Sequence, residues 1–288
     1  MNEYFALDPR APKSARDIAE LHRLFSIDTG RFLYSLPDSW QEDLVTNMRE
    51  ISDLCGTRAE EFLRNLYILS WVTRKRSFKW DEIALELIND TKLIMGERDV
   101  RPHIRSLDSA LSDISIWVDV SEGHISRNAH SYAMVADPIF RCSPKVSIVD
   151  PYFRLRYKPA NTNLFRRSKR HIDTLAQFIT LAAKYKKVKV LCFFVNKEHA
   201  LIDDPDGVQF QADLCEIKNT ILGAESLIIE YQELAKESSF DSHPRYLLGH
   251  NAGLKFDWGF ESLPEGSGTQ HIAWIGRNAL EPLLDRFL

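Results

Sequence analysis

No surplus of positive charge marks this chain: 37 lysines and arginines face 41 acidic residues, a formal net charge of −4. A global field that would attract nucleic acid is therefore excluded, and any such contact has to come from a local patch. Paired cysteines are missing as well. Cys55, Cys142, Cys192 and Cys215 are scattered with no CxxC among them, which argues against a disulfide framework and for reduced, mostly buried thiols. No stretch approaches the roughly 20 apolar residues of a membrane span, and the charged, proline-bearing start "MNEYFALDPRAPKSARD" has no apolar signal core. Internal repeats and low-complexity tracts are absent. What remains is an ordinary composition, 44% hydrophobic and 27% charged over 288 residues. That is enough for a sizeable core and about two domains, with a cytoplasmic location as the expectation.

Up to about residue 113 the apolar spacing is helical. "SARDIAELHRLF" places Ile18, Leu21 and Leu24 on one face after Ser14 as a cap. "SWQEDLVTNMREISDLCG" continues the pattern to a stop at Gly56, and "TRAEEFLRNLYILSWVTRKR" opens with the capping-box spacing of Thr57 and Glu60. Two short helices, "FKWDEIALELINDT" and "GERDVRPHIRSLDSALSD", then precede the alternating "ISIWVDV", a turn and "SYAMVADPIF". Helix, turn, helix and hairpin is the order of a winged helix-turn-helix, with the wing at about 114–136. Val100, Ile104, Leu107 and Leu111 form one face of the second helix, while Arg98, Arg101 and Arg105 lie opposite, as a DNA-recognition helix requires. "SYAMVADPIF" also resembles the close of winged-helix domains attached to large ATPases, which implies a larger protein partner.

A boundary is expected near "RCSPK", residues 141–145, giving domains at 1–140 and 145–288. Beyond it strands and helices alternate: "VSIVD", the helix "SKRHIDTLAQFITLAAKY", "KVKVLCFFV", the helix "GVQFQADLCEIKNTIL" and "SLIIEY". Three further strands, "RYLLG", "GLKFDW" and "HIAWIG", follow as a meander, so this half reads as an α/β sheet. Asp150 ends its first strand, where ligands of α/β sheets bind; the competing reading is an Asp-Pro turn. "RLRYKPANTNLFRRSKRH" adds Arg154, Arg156, Lys158, Arg166, Arg167, Lys169 and Arg170 with aromatic residues between, a candidate grip on a nucleic-acid backbone or a solvated loop. His199 and His271 read as structural or exposed. His243, His250 and His271 lack carboxylates or thiols at ligand spacing, so no metal and no cofactor is expected.

"VSIVDPYF", the basic segment after it and "HPRYLLGHNAGLKFDWGFE" resemble the phospholipase D superfamily over residues 145–287. The nearest likeness is to the phospholipase D-like domain that follows MIT domains, and to its short bacterial relatives. Active members carry a histidine, a cation two residues on and an aspartate further along, with the histidine as nucleophile on a phosphodiester. Here His243 and Arg245 occupy the first two positions, and His250 stands where the aspartate would be, so the motif is degenerate. Two residues apart on a strand, His243 and Arg245 share a face, and arginine adds a bidentate fork for phosphate. The resemblance implies a phosphate-binding set of His243, Arg245, Asp150 and Arg154.

The expected fold is therefore N-terminal helices plus a winged helix-turn-helix, then a phospholipase D-like mixed-sheet α/β domain. The expected function is a nucleic-acid-associated binding protein, DNA or RNA being the partner. By resemblance it would belong to a bacterial antiviral defence or mobile-element system. A metal-independent nuclease acting as a homodimer, with two His243–Arg245 pairs face to face, is the alternative; a phospholipid-headgroup adaptor is the third.

Overall fold

Two compact units divide the chain at residues 1–121 and 122–288. The structure, a computed structural model, describes residues 3–25, 29–35, 39–66, 68–70, 91–97, 104–117, 121–159, 164–201, 204, 206–222, 226–234, 245–250 and 252–288. Both units are mixed α/β.

The first unit is built on a parallel sheet, where the apolar spacing had suggested helices. β1 (Glu3–Leu7), β2 (Arg31–Ser35), β3 (Ile68–Ser70), β4 (Leu93–Gly96) and β5 (Ile104–Ser106) lie in the order β3-β2-β1-β4-β5. Every neighbouring pair in that order is parallel. Strands buried on both faces are continuous apolar runs such as "FAL" and "LIM", too short to show a period. The helices that were legible are present. α1 (Ala15–Leu24) starts at Ser14, whose hydroxyl accepts from the Asp17 N–H at 3.2 Å. α2 (Trp40–Ile51) and α3 (Asp53–Asn65) are separated at Ser52, an extended residue that caps α3 by accepting from Cys55 N–H at 3.2 Å. Gly56 lies inside α3 instead of stopping a helix, and a methyl there would meet the Arg49 side chain of α2. Trp40 is fully buried and its indole N–H donates to the Leu7 carbonyl at 2.5 Å.

The winged helix-turn-helix is overturned at three places. Residues 104–106 are strand β5, and the helix that follows, α4 (Leu107–Ser112), has only six residues. Ile114–Ile116 is a 3-10 turn. Most tellingly, "SYAMVADPIF", expected as a wing strand, lies in helix α5 (Ala129–Cys142), capped by Asn128, which accepts from Ser131 N–H at 2.8 Å. Pro138 inside that helix forfeits a backbone bond, but the side chains of Tyr132, Ala136, Ile139 and Phe140 are fully buried. Packing outweighs the local cost.

The second unit begins with β6 (Glu122–Ser126) and α5, so residues 122–140 go with the second half and the division falls before the expected boundary at 141–145. β7 (Lys145–Val149), α6 (Lys169–Tyr185), β10 (Val190–Val195), α7 (Lys197–Ala200), α8 (Val208–Leu222) and β11 (Ile228–Glu233) form the expected alternation. A short ribbon, β8 (Arg156–Tyr157) with β9 (Arg166–Arg167), precedes α6. β12 (Tyr246–Leu248), β13 (Gly253–Phe256) and β14 (Thr269–Trp274) are the meander, and α9 (Arg277–Phe287) ends the unit. The seven-stranded order is β11-β10-β7-β12-β13-β14-β6. β7, β10 and β11 are parallel, and β12 runs antiparallel to β7. The pairing Tyr246↔Val149 therefore puts the start of β12 beside the end of β7.

The loop after β13 is fastened from several sides. Thr174 on α6, fully buried, donates to the Phe260 carbonyl at 2.8 Å. Tyr132 Oη donates to the Glu261 carbonyl at 3.1 Å, and Ser262 N–H donates to the Arg170 carbonyl at 3.1 Å. Replacing Thr174 by valine keeps the shape and orphans a buried carbonyl. We expect a loss of about 1–3 kcal/mol in chemical denaturation; an unchanged midpoint would show that water replaces the bond.

Candidate anion site

Asp150 follows β7 and is 2% exposed. Its Oδ1 accepts from Tyr152 N–H and its Oδ2 from Phe260 N–H, both at 3.0 Å. One carboxyl group thus sets the turn after β7 and anchors the loop after β13. Arg245, one residue before β12, brings its Nε to 3.9 Å from Oδ1. Its Nη1 donates to the Asp257 carbonyl at 2.8 Å and its Cζ lies 5.3 Å from the Tyr152 ring centroid. Burial pushes the Asp150 carboxyl above its ordinary range, against the two amides and the Arg245 charge.

Around this pair lies a cavity of about 300 Å³ lined by Arg127, Asp150, Tyr152, Arg154, His171, His199, Arg245, Trp258 and Glu261. Three guanidinium groups and two imidazoles face two carboxyls there. Arg127 comes from the turn between β6 and α5, and its Nη2 sits 3.7 Å from Glu261 Oε2. Glu261 is also met by Arg170 Nη1 at 3.0 Å. The Nε atoms of Arg127 and Arg245 are both buried, and neither has a hydrogen-bond partner among the described residues. Both arginines line the cavity, so their guanidinium groups make it cationic. Trp258, 61% exposed, stands at the rim with Arg127 Cζ 5.4 Å from its ring centroid.

His171 belongs to the first turn of α6, where Nδ1 lies 3.0 Å from Ser168 Oγ. It packs edge-on to Phe153 at 4.9 Å. Burial pulls its imidazole down to about 4, with Glu261 opposing. It therefore lines the cavity as a neutral ring at physiological pH. His199 packs on Tyr152 with ring centroids 4.5 Å apart.

The structure brings together Asp150, Arg154 and Arg245 of the residues expected from the sequence. It does not bring His250 to them. That residue follows the far end of β12, where Leu248 pairs with Ser147, and its backbone N–H donates to Ser143 Oγ at 3.1 Å. The three-residue strand β12 lies between it and Arg245, so the two stand at opposite ends of that strand. His243, Arg98 and Arg101 lie outside the described residues. Arg105 is no recognition-helix residue: it is on β5, donating to Asp113 Oδ2 at 2.7 Å and Ser109 Oγ at 3.0 Å. Within the basic segment, Arg167 is engaged by Glu216 and Arg170 by Glu261, while Arg166 and Lys169 are exposed. Arg127, Tyr152, His171, Trp258 and Glu261 carry no signal in the sequence, because all but His171 come from turns or loops that only the fold brings close, and His199, read from the sequence as structural or exposed, lines the cavity as well. Among the described residues no cluster of histidine, cysteine and carboxylate side chains could hold a metal, and no helix is long and apolar enough to cross a membrane.

No protein-family model matches the chain, and no curated protein is significantly similar to it.

Two outcomes follow from this geometry. In an NMR titration the His171 ring stays neutral from pH 8 down to about pH 5 and protonates only near 4; a midpoint near 6.5 would mean that the ring is solvated. Gly259, at φ +82°, would place a methyl 2.6 Å from Asp150 Oδ2 and 2.8 Å from Arg245 Cδ. Gly266, at φ +77°, has nothing within 4 Å of such a methyl. Gly266→Ala should cost about 1 kcal/mol of conformational strain, and Gly259→Ala at least about 1–3 kcal/mol more through the clash. Equal melting temperatures for the two variants would show that the Asp150–Arg245 packing is loose.

Proposed function

We propose that the second unit is a phosphate-binding module of phospholipase D-like build, taking a phosphomonoester or phosphodiester group in the cavity beside Asp150 and Arg245. The observation that carries this reading is the convergence of Arg127, Arg154 and Arg245 on one cavity beside the buried Asp150. A phosphate offers oxygens to several guanidinium groups at once, and such charge-assisted bonds are about twice as strong as neutral ones. The three cations outnumber Asp150 and Glu261, so the cavity favours an anion. Support for the family resemblance comes from topology: the segments "VDPYF" and "RYLLG", far apart in the chain, lie side by side through the pairing of β7 with β12.

We favour binding over hydrolysis on the degenerate motif alone: His250, which stands where the aspartate would be, is away from the cavity. His243, on which attack at phosphorus would rest, lies outside the described residues. A partner nucleic acid would be held through this cavity and the exposed Arg166 and Lys169, without a winged helix.

Isothermal titration with inorganic phosphate tests the proposal. Arg154 is exposed, so Arg154→Ala should fold normally and weaken phosphate about tenfold. Arg245→Lys, which keeps a charge beside Asp150 but loses the fork, should weaken it comparably. The proposal fails if phosphate gives no heat at tens of millimolar, or if both variants bind as the parent does.

A further inference from the structure

Beside the anion cavity lies a second and larger one, of about 630 Å³. Arg154 and His199 line both. Its walls come from the β8–β9 ribbon and α8, and include Tyr157, Phe165, Phe210, Asp204 and Gln209. Phe210 is buried, but Phe165 is 44% exposed although it is a large apolar ring. Lys158 Nζ stands 5.8 Å from the Phe165 centroid, and Arg154 Cζ 5.9 Å from that of Tyr157. Arg156 is already engaged: its Nε and Nη2 donate to Asp213 at 2.6 and 2.7 Å, and Gln209 Nε2 donates to the same carboxylate at 3.0 Å. This lining therefore combines aromatic faces, cations flanking them and two carboxylates.

That combination discriminates between the molecules that could carry a phosphate into the neighbouring cavity. An acyl chain would desolvate Asp204, Lys158 and Gln209 without pairing them. An inositol polyphosphate would meet Arg154 and Lys158 but would leave the faces of Phe165 and Tyr157 without a flat partner and set an anion against Asp204, the carboxylate that no arginine or lysine pairs among the described residues. A nucleobase suits each wall. Its flat ring stacks on Phe165 or Tyr157, the cations above those rings strengthen the stack, and its exocyclic N–H groups find carboxylate and amide acceptors.

Resting on the phosphate-binding reading, we infer that the second cavity is a base subsite, and that the ligand is an unpaired nucleotide of single-stranded nucleic acid. Its phosphate sits with Arg127, Arg154 and Arg245, its base lies against Phe165 and Tyr157, and Arg154 spans the junction. Only a base free of a duplex can enter, so the strand is recognised where it is unpaired. Duplex ends and paired tracts are not ligands of this cavity.

The experiment titrates the full chain with inorganic phosphate, ribose 5-phosphate, a nucleoside 5′-monophosphate and inositol trisphosphate. The nucleotide should bind at least about tenfold more tightly than ribose 5-phosphate. Phe165→Ala should erase that difference while leaving inorganic phosphate unchanged, and Phe165→Trp should restore it. Equal affinity for the nucleotide and ribose 5-phosphate, with phosphate still bound, overturns the base subsite and leaves the phosphate reading intact. So does tighter binding of inositol trisphosphate, which would assign the cavity to a lipid headgroup. Nucleotide affinity unaffected by Phe165→Ala also overturns it. Failure of every phosphate to bind overturns both readings at once.

Discussion

One carboxyl group organises the second unit. Asp150 accepts from the backbone of its own turn and from Phe260, 110 positions along the chain, while Arg245 approaches its remaining side. These contacts tie the parallel half of the sheet to the meander half at the place where strand direction changes. A buried carboxyl group that left any of this unsatisfied would be costly. The loop is reinforced by Thr174, Tyr132 and Gln270, whose side-chain amide donates to the Gly259 carbonyl at 3.1 Å. The same interactions that hold the fold thus hold the site, and Arg245 and Trp258 gain fixed positions without being in regular elements themselves.

The cavity's electrostatics follow from that arrangement. Asp150 is close enough to keep Arg245 in place, but its nearest oxygen is beyond hydrogen-bond reach of Nε. The pair is a cation held by its counter-charge with a donor left over. Arg127 repeats the arrangement with Glu261. His171, neutral by burial, supplies a polar lining group without adding charge, while Arg127, Arg154 and Arg245 supply permanent cations.

How much of this was legible in the sequence differs sharply between the halves. In the second unit, β7 and β10 are apolar runs bounded by Pro144, Asp150, Lys189 and Asn196, and α6 is long enough for its period to stand out. In the first unit the strands are three to five residues long, and the buried runs of β1 and β4 show no alternation, so the helices between them dominate the pattern. At α5 the order of segments pointed to a hairpin and made "SYAMVADPIF" its second strand, whereas the Asn128 cap and the buried Tyr132, Ala136, Ile139 and Phe140 belong to a helix. Asp150, Arg154 and Arg245 could be found because they sit in recognisable segments. His171 and Trp258 could not, since a ring two residues from a strand or at a helix start has no signature until its neighbours are known. "DWGF" held the one usable clue, a glycine between large rings, which marks a backbone approached closely.

The place of β6 changes what counts as one inheritable piece. This strand is first in the chain order of the second unit but last in its sheet, pairing with β14 from Ser126↔Thr269 to Glu122↔Ala273. A gene fragment starting at the apparent boundary near residue 145 would drop β6, α5 and Arg127 together. It would bare the β14 edge, a template for adventitious strand addition, and empty the space filled by Tyr132 and Phe140. Recombination that moved this unit between proteins would therefore have to cut before Glu122. A joint placed inside α5 would split the helix whose Tyr132 and Phe140 fill that space.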